Sequence, residues 1–362
     1  MIPLFKVAMS PTAADRVQET LESGMIGEGP RVQEFKHELR NRFNINHLIP
    51  LNSGTSALTL ALRLAGVEGG EVITTPFTMI ATNVAIKAER GIPVFADLGP
   101  DSVNISFEDV QGRITKNTKA IIVTLVGGIP VEMEKFMTLG IPIIVDAAHA
   151  IDTYYKDKHI SHWGDYVCFS FQSIKQLNTG DGGALVCRSN KDHERAKKLK
   201  WFGMSRDVPK GMTRLEHQMT ADVEEWGYKM HMNDIVASIG LANLELLDDI
   251  TARQRDNAKF YNTFLNSGIK VPKYSNPSWW AYPMIVDDRD EFIKKMADKG
   301  IECSPMWRRN DEYTVFQERI EMGYARSKLP NMDSIQDKIV FIPVGWWVTP
   351  EDTANIVEAI CE

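Results

Sequence analysis

A lysine follows a short apolar run and precedes a cluster of glycines. The run is Asp165-Tyr166-Val167-Cys168-Phe169-Ser170-Phe171, the lysine is Lys175, and the cluster is Gly180-Asp181-Gly182-Gly183. The run reads as a strand, and a glycine-rich turn lets backbone crowd against a flat ligand. An amine delivered to that turn can condense with a carbonyl. A single lysine is far more often solvated than reactive, so its neighbours decide the reading.

Two other stretches suit the same chemistry. Asp146 ends the apolar run Pro142-Ile143-Ile144-Val145 and leads into Ala147-Ala148-His149. It either caps the next helix or holds a ring nitrogen protonated, the charge that makes a pyridine ring an electron sink. Ala147 and Ala148 leave room for a ring, and His149 could hydrogen-bond a phenolic oxygen. Ser53-Gly54-Thr55-Ser56 stands at the head of a helix-forming stretch, Ala57 to Ala65. These residues either cap the helix or offer its free N–H groups to a phosphate. A phosphate turn, a strand-end aspartate and a lysine after a strand together describe a pyridoxal 5'-phosphate site, with Lys175 as the Schiff-base lysine.

The elements that must position these residues alternate along the chain. Helical periodicity covers Thr12 to Ser23 and Arg31 to Phe43, the second with Val32, Phe35, Leu39 and Phe43 on one face. Apolar β-branched runs at 71–75, 92–97, 120–125 and 142–146 are separated by helical stretches at 80–89, 107–114 and 131–139. That alternation predicts an α/β fold with a mostly parallel central sheet flanked by helices. Ligands in such sheets gather at the carboxyl ends of the strands. Asn233 to Tyr261 reads as one long helix or two. A smaller C-terminal α/β domain follows, with a strand near 279–286, a helix at 290–299 and a capped helix opening at Thr349-Pro350-Glu351-Asp352. The expected division is 1–240 for the large domain and 241–362 for the linking helix and small domain.

The 362 residues carry a net charge of -7, which argues against a nucleic-acid partner. No apolar stretch is long enough to span a bilayer, and no apolar signal core opens the chain. Cys168, Cys187, Cys303 and Cys361 form no paired metal or redox motif. Their scatter fits a reducing cytoplasm.

These motifs, in this order, resemble the DegT/DnrJ/EryC1/StrS family of sugar aminotransferases. Its markers are Gly29-Pro30-Arg31-Val32-Gln33-Glu34-Phe35, Ser53 to Leu58, Phe77 to Thr82, Asp146 to His149, Ser170 to Gly183 and Gly227-Tyr228-Lys229-Met230-His231-Met232. The resemblance spans essentially the whole chain and is to a perosamine-synthase-like member. It implies the aspartate-aminotransferase type of fold (fold type I), with pyridoxal 5'-phosphate bound to Lys175 and paired through its ring nitrogen with Asp146. His149 would stand near the cofactor hydroxyl, and Gly54, Thr55, Ser56 and Ser170 would hold the phosphate. The segment Gly227 to Asn233, with Lys229 and Asn233, would reach the partner's cofactor in a homodimer. Met79 occupies the place of a ring that stacks on the cofactor in relatives. Lys229 and His231 take the places of an Asn and an Arg, and Asp181 that of a Glu. Trp307, Arg308 and Arg309 fall where relatives contact the sugar nucleotide. The arginines would meet a diphosphate and Trp307 a base or sugar, or else the stretch is a solvated basic turn. The implied reaction moves an amino group from a donor, L-glutamate, to C4 of a nucleotide-linked 4-keto-6-deoxyhexose. Surface polysaccharide, O-antigen included, is the implied destination. A non-catalytic regulatory member and a dehydratase of the same fold are the alternatives. Lys175 favours transamination, because the related dehydratases carry histidine there. No metal site is expected.

Overall fold

In the computed structural model, which describes residues 1–317 and 327–362, seven strands make the central sheet. They are β1 (Leu48–Leu51), β2 (Glu71–Thr74), β3 (Ile92–Phe95), β4 (Thr118–Thr124), β5 (Ile143–Asp146), β8 (Tyr166–Ser170) and β9 (Gly183–Cys187). A small hairpin of β6 (Tyr154–Tyr155) and β7 (Lys158–His159) interrupts the series. The order across the sheet is β1-β9-β8-β5-β4-β2-β3. β3, β2, β4, β5 and β8 run parallel. β9 runs against its neighbours β8 and β1. The carboxyl ends of β1, β2, β4, β5 and β8 therefore lie along one edge, which ends in Leu51, Thr74, Thr124, Asp146 and Ser170.

The period of two along each strand divides its side chains between two apolar layers. Ile121, Val123, Val145 and Phe169 join one cluster, while Ala120, Ile122, Ile144 and Cys168 join the other. The first layer is closed by α2 (Pro30–Phe43), which follows α1 (Ala13–Glu22). The predicted stripe Val32, Phe35, Leu39 and Phe43 is the buried face of α2. The second layer is closed largely by α3 (Gly54–Ala65), eight of whose twelve residues are buried. Both edge strands carry a proline, Pro50 in β1 and Pro93 in β3, where a missing N–H costs the sheet least.

Asn233 to Tyr261 resolves into two helices, Asp234–Leu244 and Leu247–Phe264. Beyond them Tyr282–Ile285 pairs antiparallel with Ile339–Ile342 at the centre of a third core. The opening residues of the chain return to this core. Ile2 bridges to Ile301, and the Leu4 N–H donates to Glu302 Oε2 at 3.1 Å. Thr349 and Asp352 form the expected capping box on Pro350–Cys361. Phe77, Val126 and Ile129, from turns at the carboxyl edge of the sheet, are buried in this third core, as is Trp280. The C-terminal part thus sits over the edge where the predicted site residues end.

Candidate active site

A cavity of about 370 Å³ opens at that edge. The head of α3 contributes Ser53, Gly54 and Thr55, β4 contributes Thr124, and β5 and its turn contribute Asp146, Ala148 and His149. β8 contributes Cys168 and Ser170, the following turn Lys175, and the third core Trp280 and Trp307. Met79, just before α4 (Ile80–Ala88), completes the predicted residues found here. A larger cavity, about 460 Å³, lies by Lys36, Lys200 and Arg206. It has no carboxylate-lysine pair at a strand end, and Lys200 and Arg206 both pair with Glu28. The chemistry belongs to the smaller cavity.

Asp146 is buried and accepts one hydrogen bond on each oxygen. Thr82 Oγ1 donates to its Oδ2 at 2.7 Å, and the Ala148 N–H donates to its Oδ1 at 3.2 Å. Thr78 Oγ1 sits 2.9 Å from Thr82 Oγ1, so a chain of hydroxyls leads into the carboxylate. Burial raises the Asp146 pKa, while Thr82, the Ala148 N–H and the Lys175 charge act against the rise. Burial lowers the Lys175 amine to about 7, and Asp146 opposes that shift. The two groups therefore share one enclosed site and stabilise each other's charged form. His149 is held well below the ordinary imidazole range by burial and by Lys175, so its ring is neutral.

The phosphate end is built by packing. Ser53 caps α3 by accepting the Ser56 N–H at 3.0 Å. Gly54 and Thr55 head the helix, where N–H groups lack intrahelical acceptors. A Cβ on Gly54 would lie 2.8 Å from the Ser170 Cβ, so the absent side chain allows α3 to meet the end of β8. Ser53 caps the helix and fixes the turn that leaves Gly54 and Thr55 at the cavity wall.

The remaining predicted residues fall elsewhere. The Ser56 hydroxyl donates to Asn52 Oδ1 at 2.6 Å and is outside the cavity lining. In this arrangement its hydroxyl locks the cap. Arg309 is buried, it pairs in fork geometry with Asp311 at 2.8 and 2.9 Å, and it also donates to Asp333 and to Gln336 Oε1. A guanidinium with four of its five donors so engaged, its pKa raised by those carboxylates against its burial, is held by this chain's own side chains and lies outside the cavity lining. Arg308 is exposed and pairs with Glu312 at 3.2 Å. Asn233 caps Asp234–Leu244 by accepting the Val236 N–H at 3.1 Å. Lys229 is exposed, outside this chain's own cavity, on a segment tied to β1 through Leu51–His231 and Asn52–Met230 backbone pairing. Met79 is 51% exposed and offers a thioether to the cavity.

Several participants escaped the sequence reading. Thr124 ends an apolar run in the same way as Asp146 does, and that pattern marks it. Thr82 lies inside a helical stretch and gives no sign. Trp280 comes from a strand-like apolar run that reads as core. Asn310 escaped too: its Nδ2 donates to the Thr78 carbonyl at 2.8 Å, and its Oδ1 accepts from Asn83 at 2.9 Å. That bond pair pins the turn bearing Trp307 to the turn bearing Met79.

The residues fit pyridoxal phosphate. Two buried polar atoms in the lining, His149 Nδ1 and Thr124 Oγ1, have no hydrogen-bond partner among the described residues. They await a polar ligand between the sheet edge and the third core. Lys175 would supply the amine, Asp146 the carboxylate for a ring nitrogen, and the head of α3 the phosphate cradle.

The fold is that of the α/β enzymes of fold type I. A family profile described as the DegT/DnrJ/EryC1/StrS aminotransferase family matches residues 8–361. The chain belongs to that family, whose members are pyridoxal-phosphate-dependent sugar transaminases. Among similar proteins, the sugar aminotransferase CalS13 from Micromonospora echinospora is 34% identical in its crystal structure, with a TM-score of 0.92 over 99% of both chains. The spore coat polysaccharide biosynthesis protein SpsC of Bacillus subtilis is 31% identical over 95% of this chain and 92% of its own. The GDP-perosamine synthase of Escherichia coli O157:H7 is 30% identical over 94% of this chain and 96% of its own.

Proposed function

We propose that this chain moves an amino group from L-glutamate to the C4 keto carbon of a nucleotide-linked 4-keto-6-deoxyhexose. The observation that carries the reading is one cavity in which a buried lysine amine, a buried strand-end carboxylate and an open helix N-terminus converge. The similarity to a GDP-perosamine synthase and to a spore coat polysaccharide protein supports a nucleotide-sugar acceptor.

Bound pyridoxal phosphate supplies an electron sink and a carbonyl that carries nitrogen between the two substrates. The chain's own residues do the rest. Lys175, with its amine near 7, is a base in the neutral range. It would take the proton from the donor's Cα and deliver it to the cofactor carbon on the far side of the transferred nitrogen. Asp146 keeps the ring nitrogen protonated, held in place by Thr82 and the Ala148 N–H. Gly54 and Thr55 anchor the phosphate, and Trp280 and Trp307 wall out water from one side.

Lys175 is the only Lys or Arg among the described residues that line the cavity. The substrate diphosphate therefore requires cations from outside the lining. Arg308 is one, and Lys229 of a second copy is the other, in a homodimer with shared sites. The exposed apolar side chains Leu215, Met219 and Trp226, near Lys229 in sequence, suit burial against that copy. No helix among the described residues is long and apolar enough to cross a membrane. All four cysteines are free, in keeping with a cytoplasmic setting.

Purified protein with pyridoxal phosphate should show a visible Schiff-base band, which Lys175→Ala replaces by the shorter-wavelength band of the free aldehyde while abolishing turnover. A Schiff-base band and turnover retained in Lys175→Ala would remove Lys175 from the reaction. A dehydratase would give loss of water from the sugar, and a non-catalytic binder would keep its band in every amino donor.

A further inference from the structure

Trp280 meets the surroundings of Lys175 at several points. The Lys175 Nζ lies 3.8 Å from the centre of a Trp280 ring. His149 stacks on the same indole at 3.8 Å and 11°, and Phe5 at 4.7 Å and 22°. The indole Nε1 donates to the Ile174 carbonyl at 3.0 Å, one residue before the lysine. One residue after it, Gln176 Nε2 donates to the Ser278 carbonyl at 2.8 Å. The Ser278 hydroxyl in turn donates to the His149 carbonyl at 2.9 Å. A segment of the third core is thus bolted to both flanks of Lys175 and to the turn that follows Asp146. Trp280 itself is 4% exposed, so its ring has little freedom to move away.

An ammonium over an indole face is attracted by the ring's quadrupole, most strongly where water is excluded. A neutral amine is not. We propose that Trp280 is a positioning residue for Lys175: its indole face seats the lysine amine as an ammonium whenever that amine is not bonded to the cofactor. The seat keeps the charged lysine at a fixed place beside the cavity. It lets go when the proton leaves, so the neutral amine is the form free to reach substrate. This rests on Lys175 being the reactive lysine, as in the proposed function.

The test uses the full-length protein stripped of cofactor. Trace acetic anhydride acetylates the neutral amine, and mass spectrometry of the peptide bearing Lys175 gives its titration midpoint. Trp280→Leu keeps an apolar wall and removes the π face, so the midpoint should fall by about one pH unit. Trp280→Phe keeps a weaker face and should shift it less. Incorporating mono- and then trifluorotryptophan weakens the face at nearly constant shape. It should lower the midpoint stepwise even if Trp280→Leu fails to fold. A midpoint unmoved or raised in the fluorinated protein overturns the proposal. Because the readout needs neither cofactor nor turnover, its failure is separable from failure of the proposed reaction, which the visible band reports.

Discussion

Lys175 and Asp146 pay opposite consequences of the same burial: the amine loses its proton more easily, and the carboxyl keeps it longer. The stability effect of Lys175 has a definite sign. Its folded pKa of about 7 lies below the ordinary lysine value of 10.5. The unfolded chain therefore binds the extra proton between those values, and the penalty is complete below pH 7 and fades as pH rises toward 10.5. Lys175→Met should raise the melting temperature of cofactor-free protein most at pH 6, with the gain shrinking through the alkaline range. A gain independent of pH would contradict the burial argument. Thr82→Val removes the donor to Asp146 Oδ2 and leaves a buried acceptor short, a cost of about 1–3 kcal/mol. Cofactor affinity, read by equilibrium dialysis, should weaken about tenfold or more. Lys175 and Asp146 were legible because each polar residue closes or follows an apolar run. Thr82 and Trp280 were not. Thr82 acts on a carboxylate 64 positions away, and Trp280 on a carbonyl 106 positions away. Only folding brings either pair together.

At the scale of elements, the site depends on how closely α3 meets the end of β8. Gly54→Ala places a methyl 2.8 Å from the Ser170 Cβ, a contact that backbone on both sides resists. The helix head must shift, with about 1–3 kcal/mol of overpacking cost and a loss of cofactor retention larger than the loss of melting temperature suggests. Parallel thermal unfolding and cofactor dissociation measurements check this. Unchanged retention would place the phosphate elsewhere. The alternation of β-branched runs and helices was readable, and it gave the parallel strands and their carboxyl edge. β1 was not, because Pro50 argues against a strand until the segment is known to be an edge. Ile339–Ile342 was missed for a different reason: a short continuous apolar run has no period to betray its type. The residues after Lys175 read as a glycine turn, yet Gly183 already opens β9, the strand of the central sheet that runs opposite to the other six.

For the whole molecule, the third core acts as the roof of the site. It takes in Phe77, Val126 and Ile129 from the sheet edge and presents Trp280 and Trp307 to the cavity. The chain's first residues are part of it, through the Ile2–Ile301 bridge. That closure of the two ends was invisible in the sequence, since it depends on neither periodicity nor motif. A site shared between two copies makes a separate prediction. Lys175→Ala and Lys229→Glu should each be inactive alone, yet dissociated and reassociated together they should regain activity. Each mixed pair then holds one cavity with an intact Lys175 and an intact Lys229 from the other copy. No recovery on mixing would confine the site to one chain. The central claim is amino transfer to a nucleotide sugar, and a paired half-reaction on one sample tests it most directly. L-glutamate should bleach the visible band of the cofactor-loaded enzyme. A nucleotide-linked 4-keto-6-deoxyhexose should then restore the band and appear by mass spectrometry as the 4-amino sugar. A band that only 2-oxo acids restore, with every keto sugar unchanged, would contradict the account.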